Sequence, residues 1–264
     1  MPELAEVEYF RKQWSVGEGQ RVLRVAAHFK ARIFRGISEH AFVDALTGSK
    51  LTGSESRGKQ MIFRFNGANV GLHLGMTGKL SVSPPDFSPG KHDHLVLYQK
   101  DQALVFSDSR LFGRVLFHTG KEEAPWWAKL PPDVLSPEFT KKAVETFLER
   151  RKGSPIKAVL LMQEQFPGIG NWMADEILWQ ARIHPGTRAG DLTNEEADLV
   201  WKTTRHVTRE ALATVGKDWS DPPADWLFHH RWGKKGNCPR CGVDLKRGEI
   251  GGRTTSWCPQ CQKP

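Results

Sequence analysis

The sequence predicts an α+β chain of two main domains that ends in a small metal-held module. Three observations carry this. β-like runs are confined to the first 120 residues, apolar residues recur at helical spacing from about residue 137 to 215, and all four cysteines fall after residue 237. At 264 residues the chain is long enough for two modest domains, and its 39% hydrophobic content can furnish their cores. No run reaches the ~18 uncharged apolar residues of a membrane span, and no apolar leader follows the start, so the cytoplasm is the default compartment.

The elements follow in order. "MPELAEVEYF" reads as a helix start, with proline at the first position, acids in the first turn, and Leu4, Val7, Phe10 and Trp14 at three- and four-residue steps. Five strand-like runs come next: 22–28, 60–65, 69–73, 95–98 and 103–106. Asn66-Gly67 and Lys100-Asp101 punctuate them as turns, which predicts a mostly antiparallel sandwich over residues 1–120. Four prolines between 121 and 137 mark a linker around Trp126-Trp127. Helices are expected over 138–215, with breaks at 153–155, 167–170 and 184–190. A connecting segment and the cysteine module occupy 216–264.

Cys238, Cys241, Cys258 and Cys261 form two C-x2-C pairs separated by sixteen residues. That is the spacing of a closed tetrahedral zinc site, structural rather than catalytic. Two disulfides are the rival, one that a reducing cytosol disfavours. Of the formal charge of +8, a surplus of six lies in the last 35 residues, where eight basic side chains meet only Asp244 and Glu249. A basic module suits a polyphosphate partner, because neutralised phosphates release counterions. Arg253 beside Thr254 and Thr255 could grip one phosphate with its guanidinium and their hydroxyls.

In "QFPGIGNWMADEILWQARIHP", Ile169, Met173, Ile177 and Leu178 give a helix a buried face after a glycine turn. Asn171 can cap that helix, or the turn's amides and Asn171 can seat a phosphate. In "KHDH" the alternation of His92, Asp93 and His94 fits a strand better than a metal cage.

These stretches, with "PELAEVE", "RGKQMIF", "HLGMTGKL", "DSRLFG" and "GRTTSWCPQCQ", occur in one order. Together they resemble the formamidopyrimidine-DNA glycosylase family, the bacterial Fpg/Nei group of bifunctional DNA repair enzymes. The resemblance implies a helix–two-turn–helix module in the helical region, a β-hairpin zinc finger at the end, and one structural zinc ion. It implies action on double-stranded DNA with damaged bases or abasic sites, in the bacterial cytoplasm at the nucleoid, with no membrane role; a monomer is the simplest expectation, on which the sequence itself is silent. Removal of Met1 would expose Pro2 as the nucleophile. A terminal amine has a pKa near 8, so about a tenth of it is free base at neutral pH. By the same resemblance Glu3 is the general acid/base, and Lys59 assists departure of the base. Arg253 belongs to the catalytic set as a phosphate clamp. Met76, Arg110 and Phe112 would fill the gap left by an extruded nucleotide, and His92, Lys157 and Asn171 would hold phosphates.

Ala5 replaces a proline usual in this opening, and Trp172-Met173 a more common aliphatic–tyrosine pair. The segment 212–231 is shorter than in members that cap a flipped 8-oxoguanine there. Lesion class therefore stays open between oxidised purines and the oxidised pyrimidines of Nei-type enzymes. A non-catalytic zinc-dependent binder of damaged DNA explains the charge and the finger, but leaves the Pro-Glu terminus without a purpose.

Overall fold

The structure, a computed structural model, describes residues 1–120, 122–233 and 236–263. Lys121, the first residue of the expected linker, lies outside the described residues, as do Lys234, Lys235 and Pro264 of the basic tail. The chain divides into two compact units: Met1–Pro2 with Glu6–Leu130, and Glu3–Ala5 with Pro131–Pro264.

The first unit contains most of helix α1 (Leu4–Ser15), then β1 (Arg24–Ala27), α2 (Glu39–Leu46), β2 (Leu51–Arg57), β3 (Gln60–Phe65) and β4 (Ala68–His73). β5 (Lys79–Ser83), β6 (Asp93–Tyr98), β7 (Ala103–Ser107), β8 (Arg114–Thr119) and the single turn α3 (Pro125–Ala128) complete it. Two antiparallel four-stranded sheets run in the orders β1-β6-β7-β5 and β2-β3-β4-β8. Side chains of a strand alternate between its faces. Met61 and Phe63 of one sheet thus share a core with Leu95, Leu104 and Phe106 of the other, joined by Val7 and the fully buried Trp14. On the outer face of the second sheet Ile62 packs with Ala124 and Trp127.

All five predicted runs are strands in substance. β2, β5 and β8 were not foreseen, because "LTGSESR", "KLSVS" and "RVLFHT" each bury only part of their length. The Trp126-Trp127 stretch differs from a linker. It forms α3 and packs into the first unit, since two indoles gain more from burial than from bridging solvent. Pro2 and Glu3 also precede α1 rather than opening it; its first-turn acid is Glu6.

The second unit is helical: α4 (Lys141–Arg150), α5 (Ile156–Leu160), α6 (Asn171–Gln180), α7 (Asn194–Ala213) and α8 (Val215–Asp218), then β9 (Lys246–Ile250) paired with β10 (Arg253–Trp257). All three predicted breaks separate helices. α7 opens with a capping box, Glu196 N donating to Thr193 Oγ1 at 3.1 Å while Thr193 N donates to Glu196 Oε2 at 2.9 Å. α6 is the unit's axis, buried continuously from Trp172 to Trp179. No helix among the described residues is long and apolar enough to cross a membrane.

Burial of α6 includes the carboxyl of Glu176, which accepts from Gln180 Nε2 at 2.8 Å and from Phe228 N at 3.0 Å. Desolvation pushes its pKa up from 4.5 to about 7. The folded state binds this proton more tightly than the unfolded chain. The resulting stabilisation is complete below the ordinary carboxyl value and is lost as pH rises through about 7. Glu176→Gln is therefore expected to leave stability unchanged near pH 4 and to raise it at pH 8 by about 3 kcal/mol. Urea denaturation at the two pH values measures this; equal gains at both would refute it.

Candidate DNA-processing site

In the second unit, Glu3 closes the start of α6 from far along the chain. Its Oε2 accepts from Gly170 N at 2.9 Å and Met173 N at 3.1 Å, and its Oε1 accepts from Trp172 N at 2.9 Å. The residue is 3% exposed. Three amides and the positive end of the helix favour the carboxylate anion. Gly170 has no side chain because there is no space for one: a Cβ there would lie 2.2 Å from Glu3 Cδ.

This corrects the reading of the glycine turn as a phosphate seat. Its amides serve Glu3, while Gly168 N donates to Gln163 Oε1 at 3.0 Å. Asn171 is the first helical residue rather than the cap, which is Gly170. Its side-chain amide donates to Thr254 O of β10 at 2.8 Å, bringing two predicted phosphate contacts, Asn171 and the Arg253 hairpin, side by side. Arg253 and Thr254 are exposed. Thr255 is buried and its hydroxyl donates to Arg253 O at 3.0 Å, so it offers a phosphate nothing.

Lys157 is a second correction. It is fully buried, its ammonium bonded to Asn171 O at 2.7 Å and paired with Asp175 Oδ1, so it cannot reach a phosphate. Burial drives its pKa down, with Asp175 pulling it back up. Asp175 Oδ2 takes Arg231 Nη2 at 2.5 Å and Ser256 N at 3.2 Å. One carboxylate thus ties α5, α6, the segment before the finger and β10 together.

The sulphurs of Cys238, Cys241, Cys258 and Cys261 lie within 4.8 Å of one another. A tetrahedron of ~2.3 Å zinc–sulphur bonds needs sulphurs about 3.8 Å apart, and the pairs Cys238–Cys261 and Cys241–Cys258 stand at 3.9 and 3.4 Å. Trp179 Nε1 donates to Cys238 Sγ at 3.3 Å, a contact suited to a thiolate. The four cysteines fit one structural zinc ion.

In the first unit, Lys59 sits with Gly58 (φ +58°) in the two-residue turn joining β2 to β3. Its charge joins burial in lowering the pKa of His73, whose Nδ1 accepts from Gly75 N at 3.1 Å. Gly75 (φ +60°) meets the turn that carries Arg110 and Phe112 backbone to backbone, its absent Cβ only 2.3 Å from the carbonyl carbon of Phe112. Met76 and Phe112 are each 45% exposed, so neither is a core residue. The Arg110 guanidinium lies 4.7 Å from the Phe112 ring centre. Leu111 between them is held at φ +56°, a strained conformation for a leucine.

Arg32, which no sequence motif marks, fastens this strained turn. Its Nε donates to Leu111 O at 2.6 Å and its Nη2 to Arg110 O at 3.2 Å. Asp108 was missed as well, although an aspartate opening a glycine-closed turn is a recognisable side-chain turn signal. His92 is exposed on an open pocket of about 430 Å³ that Lys79 and Lys91 also line. Both carboxylate oxygens of Asp93 are engaged, one accepting from Gly90 N of its own turn at 2.8 Å and the other from Ser107 Oγ of β7 at 2.5 Å. That supports a strand opening over a metal cage.

Exposed cations, a carboxylate held on backbone amides and a four-cysteine cluster suit a DNA glycosylase carrying a zinc finger. Three family models match: "Formamidopyrimidine-DNA glycosylase N-terminal domain" over residues 1–115, "Formamidopyrimidine-DNA glycosylase H2TH domain" over 130–221, and "Zinc finger found in FPG and IleRS" over 237–264. The chain belongs to the formamidopyrimidine-DNA glycosylase family. A relative of that name from Novosphingobium aromaticivorans is 36% identical with all of both chains covered. One from Exiguobacterium sibiricum is 34% identical, covering 100% of this chain and 99% of the relative. Among solved structures, wild-type Lactococcus lactis Fpg (MutM) with N7-benzyl-Fapy-dG DNA superposes with a TM-score of 0.88 at 28% identity, both chains fully covered. A MutM complex with carbocyclic 8-oxo-G DNA gives 0.87 at 29%, again over the whole of both chains.

Proposed function

We propose that this enzyme excises oxidised bases of the formamidopyrimidine and 8-oxoguanine type from duplex DNA, then cleaves the strand by β- and δ-elimination through Pro2. The observation that carries the reading is the clasp on Glu3, the residue peptide-bonded to Pro2. Solved relatives bound to abasic-site, Fapy-dG and 8-oxo-G DNA support the substrate class.

With Met1 removed, the Pro2 nitrogen attacks the sugar C1′ as the bond to the base breaks, and the base leaves with that electron pair. Lys59 assists this departure. Glu3, held as the anion, accepts the proton released by the Pro2 nitrogen and passes it to the ring oxygen. The C1′–O4′ bond then opens and leaves an iminium on Pro2. That cation acidifies C2′; loss of a C2′ proton expels the 3′-phosphate, and a second elimination expels the 5′-phosphate. Met76 and Phe112 replace the stacking of the extruded base while Arg110 meets its orphaned partner. Arg253, Asn171 and His92 take backbone phosphates. Lys157 supports Asn171 from within. The enzyme works in the bacterial cytoplasm on chromosomal DNA, as a monomer.

Borohydride reduction during reaction with abasic or lesion DNA is expected to trap a covalent adduct that maps by mass spectrometry to Pro2. No adduct from protein with a verified Pro2 terminus, or an adduct at another residue, overturns the proposal.

A further inference from the structure

Beneath the turn carrying Arg110 and Phe112 lies a histidine pair to which the reaction above gives no role. His94, on β6, is 5% exposed, with its Nε2 2.9 Å from the carbonyl oxygen of Asp108. Its Nδ1 faces Nδ1 of His28 at 3.2 Å, and the two rings meet edge to face. A carbonyl oxygen only accepts, so Nε2 of His94 carries the hydrogen. In the neutral ring its Nδ1 is then the acceptor and His28 the donor. Burial lowers the pKa of His94 and favours that neutral form.

Asp108 is where both halves of the wedge are fixed. Its Oδ1 accepts from Thr77 Oγ1 at 2.7 Å, next to Met76, and from Arg110 N at 3.2 Å. Its Oδ2 accepts from Gly113 N at 2.7 Å, next to Phe112, and its own N–H donates to His92 O at 2.9 Å. The side chain and the N–H thus set the two turns, while the carbonyl is held from below by His94.

We propose that His94, with its tautomer set by His28, is a positioning residue for base extrusion. It locks the main chain at Asp108 so that Met76, Arg110 and Phe112 are presented together. The proposal rests on the reading of those three as the wedge. Its effect is confined to the step in which a stacked base is displaced, and cleavage at a preformed abasic site, where no base is left to unstack, does not depend on it.

The test compares single-turnover excision of a lesion from duplex DNA with cleavage of abasic duplex, for wild type, Phe112→Ala, His94→Ala, His94→Gln and His28→Phe. Glutamine is chosen because its Nε2 can still donate to the Asp108 carbonyl. His94→Ala is expected to slow excision about tenfold, equivalent to about 1.4 kcal/mol of barrier, with abasic cleavage unchanged and most of the loss recovered in His94→Gln. His28→Phe, at an exposed position, is expected to show a smaller loss with the same selectivity. If Phe112→Ala itself is not selective for excision, the wedge reading fails and this proposal with it. If Phe112→Ala is selective but the folded His94 and His28 variants are not, only the histidine proposal is overturned.

Discussion

Glu3→Gln is expected to slow excision of the damaged base by roughly 10²–10⁴-fold, the usual contribution of a positioned proton-transfer group. Glutamine preserves the length of the side chain and one acceptor oxygen. It removes the negative charge that balances the start of α6, and it cannot relay a proton from the Pro2 nitrogen to the sugar oxygen. Cleavage of a preformed abasic site should suffer less, because the aldehyde is already accessible and Pro2 is intact. Hydrogen bonds to a charged group contribute about 1.5–3 kcal/mol, so the variant should also melt several degrees lower. Single-turnover kinetics on the two substrates and a thermal melt measure both effects. Wild-type excision by a folded Glu3→Gln enzyme would remove Glu3 from the chemistry.

Asp175→Ala should cost about 3–5 kcal/mol of stability, because it strands Lys157 and Arg231 as neighbouring buried cations. Both are almost without solvent exposure, and Asp175 is the carboxylate they share. The backbone of Ser256 loses its acceptor at the same time. Loosening of β10 would weaken DNA binding through Arg253 beyond what the lost folding energy alone predicts. Urea denaturation and a salt titration of DNA affinity together measure this. A denaturation midpoint equal to that of the wild type would show that the network contributes nothing.

Much of the site was legible because its signals are local. Four cysteines at fixed spacing need no distant partner to be read, and a glycine beside Met76 and another beside Phe112 are turn signals of the same local kind. Breaks between helices followed from glycine and proline. What escaped was set by residues far apart in the chain. Nothing near Lys157 reveals that Asp175 and Arg231 will enclose it, so a lysine preceding the glycine turn read, by the resemblance, as a phosphate contact. Glu3 looked like an acid at the start of its own helix. It does occupy a helix start, but that of α6, about 170 residues on, and only the tertiary fold supplies that pairing. β2, β5 and β8 escaped for a different reason: they are half-polar, and a partly buried strand leaves a weak alternation.

The anchoring of the β9–β10 hairpin bears on how tightly this enzyme can hold DNA. Ser256 N is bonded to a carboxylate in the middle of the helical unit, Thr254 O to Asn171, and the far end of the hairpin to the cysteine cluster. Arg253 therefore projects from a fixed blade rather than from a tethered hook. Under the proposed role, little backbone entropy remains to be surrendered when it meets a phosphate, so more of that contact's energy can appear as affinity.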